Sequence, residues 1–322
     1  MKLGVFNPIF QDRSFEEALD SIGRLGLEAI EIGCGNYPGD KHCQPKRLVS
    51  DSNALADFKT SIERRGLVIS ALSCHGNPLH PSESLSRAHI EVQHDAIRLA
   101  GKLGVERVVV FSGCPGDSPD AKYPNWVTSP WPEDYPKVLE WQWRERVIPF
   151  WQEEAKFARE NGVEKICVEM HPGFVVYNPE TLGRLREAVG EKIIGANFDP
   201  SHMFWQGIDP CMAIKRLGSS IYHFHAKDTH IDREKTSVDG VLDPKSYANL
   251  SERSWYFRTV GYGHDLLVWR EMISALRIVG YDHVVSIEHE DALMSRDEGL
   301  KKAVEFLRSA LIVEAPSEAW WT

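Results

Sequence analysis

The sequence lacks any paired-cysteine motif. Its six cysteines, Cys34, Cys43, Cys74, Cys114, Cys167 and Cys211, are scattered and form no C-x-x-C. That argues against a disulfide framework or a structural zinc, and for free thiols in a reducing compartment. The sequence also lacks an excess of positive charge. Its net charge is −10, and an acidic chain repels phosphate backbones, so no nucleic-acid partner is expected. The opening MKLGVFNPIF has no apolar run of the signal-peptide kind, and no stretch is long enough to span a membrane. The expectation is a soluble, cytoplasmic protein with no membrane partner. The first strand-to-helix turn, FNPIFQDRS, has no G-x-G-x-x-G, which weakens the case for an open, doubly wound sheet.

What the sequence does have is a repeat. A helical stretch, a glycine and a β-rich run recur at Gly26, Gly66, Gly104, Gly162, Gly190, Gly218 and Gly280, as in RLG-LEAIEIG and KLG-VERVVVFSG. Glycine is favoured just past a helix because it accepts the left-handed conformation. These seven joints and the opening KLGVF make eight strands alternating with helices. That predicts an α/β protein, a single (β/α)8 TIM barrel over residues 1–322. Start signals agree with it. Ser14 with Glu17 reads as a capping box, and Asn178-Pro179 and Asp209-Pro210 place a cap before proline. Two loops are long: Cys114 to about Trp143 after strand four, with Trp126, Trp131, Trp141 and Trp143, and Thr229 to about His264 after strand seven. Both belong to the face that carries barrel active sites. Their aromatic residues either stack on sugar rings or pack as ordinary loops.

Ionisable residues collect at the ends of the later strands. Strand five ends CVEMHPG with Glu169 and His171, and strand six ends ANFDPSH with Asp199 and His202. Strand seven carries His223, His225 and Lys227 on one face, and strand eight ends SIEHED with Glu288 and Glu290. Buried charge is costly unless paired or metal-bound. A salt-bridge network with Lys227, Arg258 or Arg296 would account for one or two of these strands, whereas a divalent cation accounts for all four. The natural ligand set is Glu169, Asp199, His225 and Glu288, a hard, oxygen-rich site suited to Mn2+ first, with Mg2+ or Co2+ as alternatives. His223 lies earlier in its strand and reads as a hydrogen-bonded core histidine. His171 and His202 are substrate contacts, ligands or supports, and Lys227 binds a substrate hydroxyl or pairs with Asp228.

The pieces E-M-H at Glu169, F-D-P-S-H at Asp199, H-A-K-D at His225 and S-I-E-H-E at Glu288 resemble the xylose isomerase-like TIM barrels, a superfamily of sugar isomerases and epimerases that also includes endonuclease IV. The segment around Gly261-x-Gly263-x-Asp265 is similar to the family's run into strand eight. The resemblance places the family's metal ligands on the same four residues. It also implies that Glu169 and Glu288 act as acid and base, one removing a proton beside a carbonyl to form an enediolate and the other returning a proton to the opposite face. It implies substrate contacts by His202 and by His75, in SALSCHGNPLH. The loop after strand eight, EDALMSRDEG, is not a glycine-rich phosphate cradle, so a phosphorylated substrate is not expected. An arginine that the epimerases place after strand seven has only the shifted Arg233 as a match. Arg258 or His264 of the seventh loop is expected to reach the site.

The expected function is therefore a metal-dependent sugar isomerase or epimerase. The alternative keeps the same proton abstraction but ends in elimination, as in 3-keto-glycoside lyases, C-glycoside deglycosidases or an inosose dehydratase. An endonuclease IV-like site is disfavoured, because strand four ends FSGCPGD without a histidine. A non-catalytic sugar-binding subunit is disfavoured by the intact ligand set. The partners expected are a small carbohydrate and further copies of the chain, with Trp320 and Trp321 of EAWWT as a candidate subunit contact.

Overall fold

The computed structural model describes every residue except Glu191, Pro316, Trp320 and Thr322. Of the expected C-terminal contact, Trp320 thus lies outside the described residues. Eight parallel strands close into a barrel. They are β1 (Lys2–Phe6), β2 (Ala29–Gly33), β3 (Val68–Ser73), β4 (Arg107–Phe111), β5 (Lys165–Glu169), β6 (Ile194–Phe198), β7 (Ile221–Ala226) and, after an excursion, β10 (Val284–Ile287). Around the barrel they run β1-β10-β7-β6-β5-β4-β3-β2. All seven joint glycines have positive φ, from 55° to 84°, so each of the seven units is cut where the sequence repeat cuts it. The caps form as well: Ser14 with Glu17 closes a capping box, and Asn178 and Asp209 cap helices that begin at proline.

The main core lies between strands and helices, with fully buried Leu19, Ile30, Trp151 and Trp269 among its members. Inside the barrel a small plug of Ala71, Val109 and Cys167 fills the lower layer. The polar site sits on the strand ends above it. Among the described residues, no helix is long and apolar enough to cross a membrane.

The seventh loop is not a loop throughout. Residues expected to be irregular pair as an antiparallel hairpin, β8 (Asp228–Ile231) with β9 (Trp255–Arg258). It has its own small core. Trp255 stacks on Trp205 at 4.4 Å and 5°, and the buried Arg253 lies over the rings of Tyr247 (4.1 Å) and Trp255 (4.8 Å). The hairpin is fastened to the barrel by one carboxylate. Asp228 Oδ2 accepts from the backbone N–H of Gly261 (2.9 Å), Gly263 (3.1 Å) and His264 (3.0 Å), while Oδ1 meets Thr229 N and His264 Nδ1 at 2.8 Å each. The turn needs both glycines: Gly261 has φ +88°, and a Cβ on Gly263 would sit 2.3 Å from Thr229 O. Asp228→Asn keeps the shape, removes the charge and turns an amide N–H2 toward these donors. It is expected to cost roughly 3 kcal/mol of stability. A urea midpoint equal to that of the wild type would refute that.

The loop after β4 is tied down by Gln142, whose Nε2 lies 2.7 to 3.2 Å from three carbonyls, those of Asn125, Gly116 and Pro115. Trp143 is buried beneath the Arg184 guanidinium, 4.1 Å from its ring centre, and Trp126 packs edge-on to Tyr177. Trp126 and Trp143 thus pack within the protein, Trp131 is exposed, and none of the loop's tryptophans lines the cavity over the candidate ligands.

Candidate active site

Glu169, Asp199, His225 and Glu288 meet at the mouth of the barrel, and each offers a ligand atom within 4.8 Å of the others. Local structure sets their positions. Glu169 ends β5, and His225 lies in β7 with its side chain on the inward face. Asp199 follows β6 and caps the short helix Pro200–Trp205, its Oδ1 accepting from Ser201 N at 2.8 Å. Glu288 follows β10, with its backbone N–H bonded to Ala226 O. His225 Nδ1 stands between the two glutamates, 3.2 Å from Glu169 Oε2 and 2.9 Å from Glu288 Oε2.

The donor set fits a divalent cation on one structural observation. Asp199 Oδ2, His225 Nδ1 and Glu288 Oε2 are buried and converge on one point, and their contacts to one another and to Lys227 Nζ, at 2.9 to 3.0 Å, are ion-pair contacts without hydrogen-bond alignment. Buried polar atoms are rarely left so. Three carboxylates and one imidazole nitrogen are the hard donors that Mg2+ or Mn2+ takes. A second cluster, Glu31 with His223 and His225, is of another kind because its atoms are already satisfied by protein groups.

Glu31, in the middle of β2, is the residue that sequence reasoning missed. It is fully buried, and His225 Nε2 lies 2.9 and 3.0 Å from its two oxygens. Ser73 and Ser286 donate their hydroxyls to the same carboxylate. Burial alone would raise its pKa, but His225 and His223, with the hydrogen bonds from His225 and Ser286, outweigh burial and hold it at about 2. An ionised Glu31 keeps a proton on Nε2, which leaves Nδ1 as the ligand atom. The signal for it was a lone charge flanked by isoleucines in AIEIG.

Each glutamate is also held. Glu169 Oε2 is met by His75 Nε2 at 3.0 Å and Asn197 Nδ2 at 2.9 Å, and His202 Nε2 lies 3.3 Å from Oε1. Burial would raise the pKa of Glu169, but the charge of His75 and the close contacts of His202, His225 and His75 hold it well below the usual carboxylate range. Glu288 is likewise lowered against burial, by Lys227 and then His225. Lys227 Nζ lies 3.0 Å from Asp199 Oδ2 and 2.9 Å from Glu288 Oε2. His223 takes a supporting place: its Nδ1 meets Asn197 Oδ1 at 3.1 Å, and burial pushes its pKa down to about 3. Burial does the same to His171, also to about 3, and its Nδ1 donates to Pro172 O.

Above these groups lies a cavity of about 450 Å³, walled by His75, Glu169, His171, Lys227 and Glu288 and roofed by Phe6, Tyr37 and Phe111. The aromatic walls thus come from β1, β4 and the loop after β2. His202 stands behind His171, their ring centres 4.1 Å apart. Arg258 does not line this cavity. It is held instead by Asp291, whose Oδ2 accepts from its Nε at 3.0 Å. His264 is likewise engaged elsewhere, stacked on Phe204 at 3.6 Å and bonded to Asp228, and Arg233 opens an exposed helix.

Known proteins agree with this architecture. A family model described as "Xylose isomerase-like TIM barrel" matches residues 19–310. The chain is 38% identical over 313 residues to the uncharacterized protein YfiH of Bacillus subtilis, covering 97% of this chain and 99% of that one. It is 21% identical over 301 residues to an inosose dehydratase of Geobacillus thermodenitrificans, covering 92% and 89%. Among solved structures, D-psicose 3-epimerase of Clostridium cellulolyticum with D-tagatose superposes with a TM-score of 0.59 at 16% identity, covering 97% of this chain and 99% of that one.

Proposed function

Since the chain belongs to the xylose isomerase-like TIM barrel family, we propose that it is a divalent-metal-dependent sugar isomerase or epimerase acting by proton abstraction beside a carbonyl. The observation that carries this reading is the pair Glu169 and Glu288, two ionised carboxylates on either side of His225 Nδ1 at the floor of one cavity. Glu169 takes the proton from the carbon beside the carbonyl, and His75 and Asn197 hold its carboxylate in place for that step. Glu288 stands on the other side: it takes the proton of the substrate hydroxyl on that carbon and delivers it to the opposite face of the enediolate, while Glu169 passes its proton to the hydroxyl oxygen. Lys227 and His171 are the groups in the cavity wall that bind substrate oxygens. His202 orients Glu169 and Asp199 from behind. A bound cation, Mn2+ or Mg2+, would supply positive charge to the oxygen that becomes anionic. The phenyl rings of Phe6 and Phe111 exclude water.

A second reading has an observation of its own, the similarity to an inosose dehydratase over most of both chains. The proton leaves as before, but the carbanion then expels a hydroxyl or other group from the next carbon. Proton NMR in D2O separates the two, using protein loaded with Mg2+ and a panel of free ketoses, an inosose and 3-keto-glucosides. Deuterium beside the carbonyl of a ketose, with a new sugar forming, is the expected result. Loss of water or of an aglycone would make it a lyase. No exchange anywhere in the panel would remove the proton-abstraction reading. Treatment with a chelator is expected to stop the exchange, and added Mg2+ or Mn2+ to restore it; exchange that persists in the chelator would sink the metal requirement.

A further inference from the structure

Glu290, two residues past Glu288, belongs neither to the candidate ligands nor to the acid–base pair. Its side chain is half exposed in the wall of the cavity, and its Oε2 accepts a hydrogen bond from Lys227 Nζ at 3.4 Å. That bond is long, yet it is the only aligned one the ammonium makes among the described residues. Lys227 Nζ is closer to Asp199 Oδ2 (3.0 Å) and Glu288 Oε2 (2.9 Å), but those two contacts lack hydrogen-bond alignment. A further side is covered by Phe257, whose ring centre is 4.7 Å from Nζ. The side chain of Lys227 is only 3% exposed, so its charge is balanced by these carboxylates rather than by water.

Three carboxylates thus surround one buried ammonium, and two of them are candidate metal ligands. Asp199 Oδ2 and Glu288 Oε2 cannot serve Lys227 and a divalent cation together without setting two positive charges side by side. The lysine has to yield. A buried ammonium left without a counter-charge is costly, and Glu290 is the one of the three carboxylates outside the ligand set. Glu290 and Phe257 both border a recess beside the cavity. The recess offers the lysine end a second seat, between a carboxylate and the face of a ring that favours a cation.

We propose that Glu290 is a positioning residue for Lys227. It draws the ammonium off Asp199 and Glu288 when a divalent cation takes those oxygens, and holds it against Phe257 at the cavity wall, where it meets substrate. Lys227 competes with metal in one seat and serves substrate in the other, and Glu290 sets the balance between them. This rests on the metal-dependent reading of the site.

The test is a double-mutant cycle read as metal affinity, without turnover. Mn2+ is titrated into the chelator-treated protein, and free Mn2+ is followed by electron paramagnetic resonance. Glu290→Gln is expected to bind Mn2+ at least about fivefold more weakly, because Lys227 stays on the ligand oxygens. Lys227→Met, which removes the competitor, is expected to bind Mn2+ more tightly than the wild type. In the Lys227→Met background, Glu290→Gln is expected to change the affinity by less than about twofold. Lys227→Gln provides a second background for the same cycle if the methionine variant does not fold. Equal affinity of Glu290→Gln and the wild type overturns the proposal. So does the same loss in both backgrounds, which would make Glu290 a plain negative charge near the metal. A wild type that takes up no Mn2+ would remove the metal reading as well, whereas Mn2+ binding indifferent to Glu290 removes this proposal alone.

Discussion

Glu169→Gln should yield a folded protein whose turnover is lower by about a thousandfold or more, from the loss of a positioned base. The amide has the shape of the carboxylate and cannot take up the proton. It can still accept a hydrogen bond from Asn197 and meet His75, which lie 2.9 and 3.0 Å from Oε2, so the barrel should hold. Because Glu169 is also a candidate ligand, metal affinity should fall too. Turnover must therefore be measured at saturating metal. If excess Mn2+ or Mg2+ brings activity back to a tenth of wild type, Glu169 is a ligand and not the base. If circular dichroism shows an unfolded chain, its part in the barrel is larger than its part in the chemistry.

Glu31→Ala should weaken metal binding by about ten- to a hundredfold, although Glu31 is not among the four candidate ligands. Its removal unfastens His225 Nε2, so the ring can turn or take the other tautomer and lose Nδ1 as a ligand atom. It also leaves the hydroxyls of Ser73 and Ser286 without their shared acceptor in a fully buried layer. Breaking a buried charged network of this kind costs about 3–5 kcal/mol. Glu31→Gln is the gentler variant, since the amide can accept from one serine and keep the volume. Both are checked by a metal titration beside a urea denaturation curve. Unchanged metal affinity in Glu31→Ala would show that β7 alone orients the ligand.

Much of this was legible because it is local. Each joint glycine announces itself by its place after a helix, and each of the four candidate ligands sits at or near a strand end within a short motif. What was not legible depends on partners far apart in the chain. Glu31 gains meaning only from His225, 194 residues later, across a closed barrel that brings β2 and β7 face to face. Alone in AIEIG it reads as an oddity. The hairpin was hidden for the same reason: Asp228 pairs with Arg258 over an excursion whose own core is built from Arg253 and Trp255. That pairing, with Asp291 behind it, also turns Arg258 away from the cavity where sequence reasoning expected it. The tryptophans after β4 left two readings open, since composition alone does not separate an aromatic-rich loop that lines a cavity from one that packs itself down.

Lys227 and Asp228 are neighbours in the chain with opposite duties. The ammonium faces the candidate ligands Asp199 and Glu288, and the carboxylate next to it grips the turn at Gly261 and Gly263. Candidate site and hairpin are thus bolted to the barrel on adjacent residues, while residues 232–254 bear on neither bolt. That stretch is the natural cassette for exchange. A relative's excursion spliced between the same two anchor points would change what lies beside the site while the candidate ligands stayed in place.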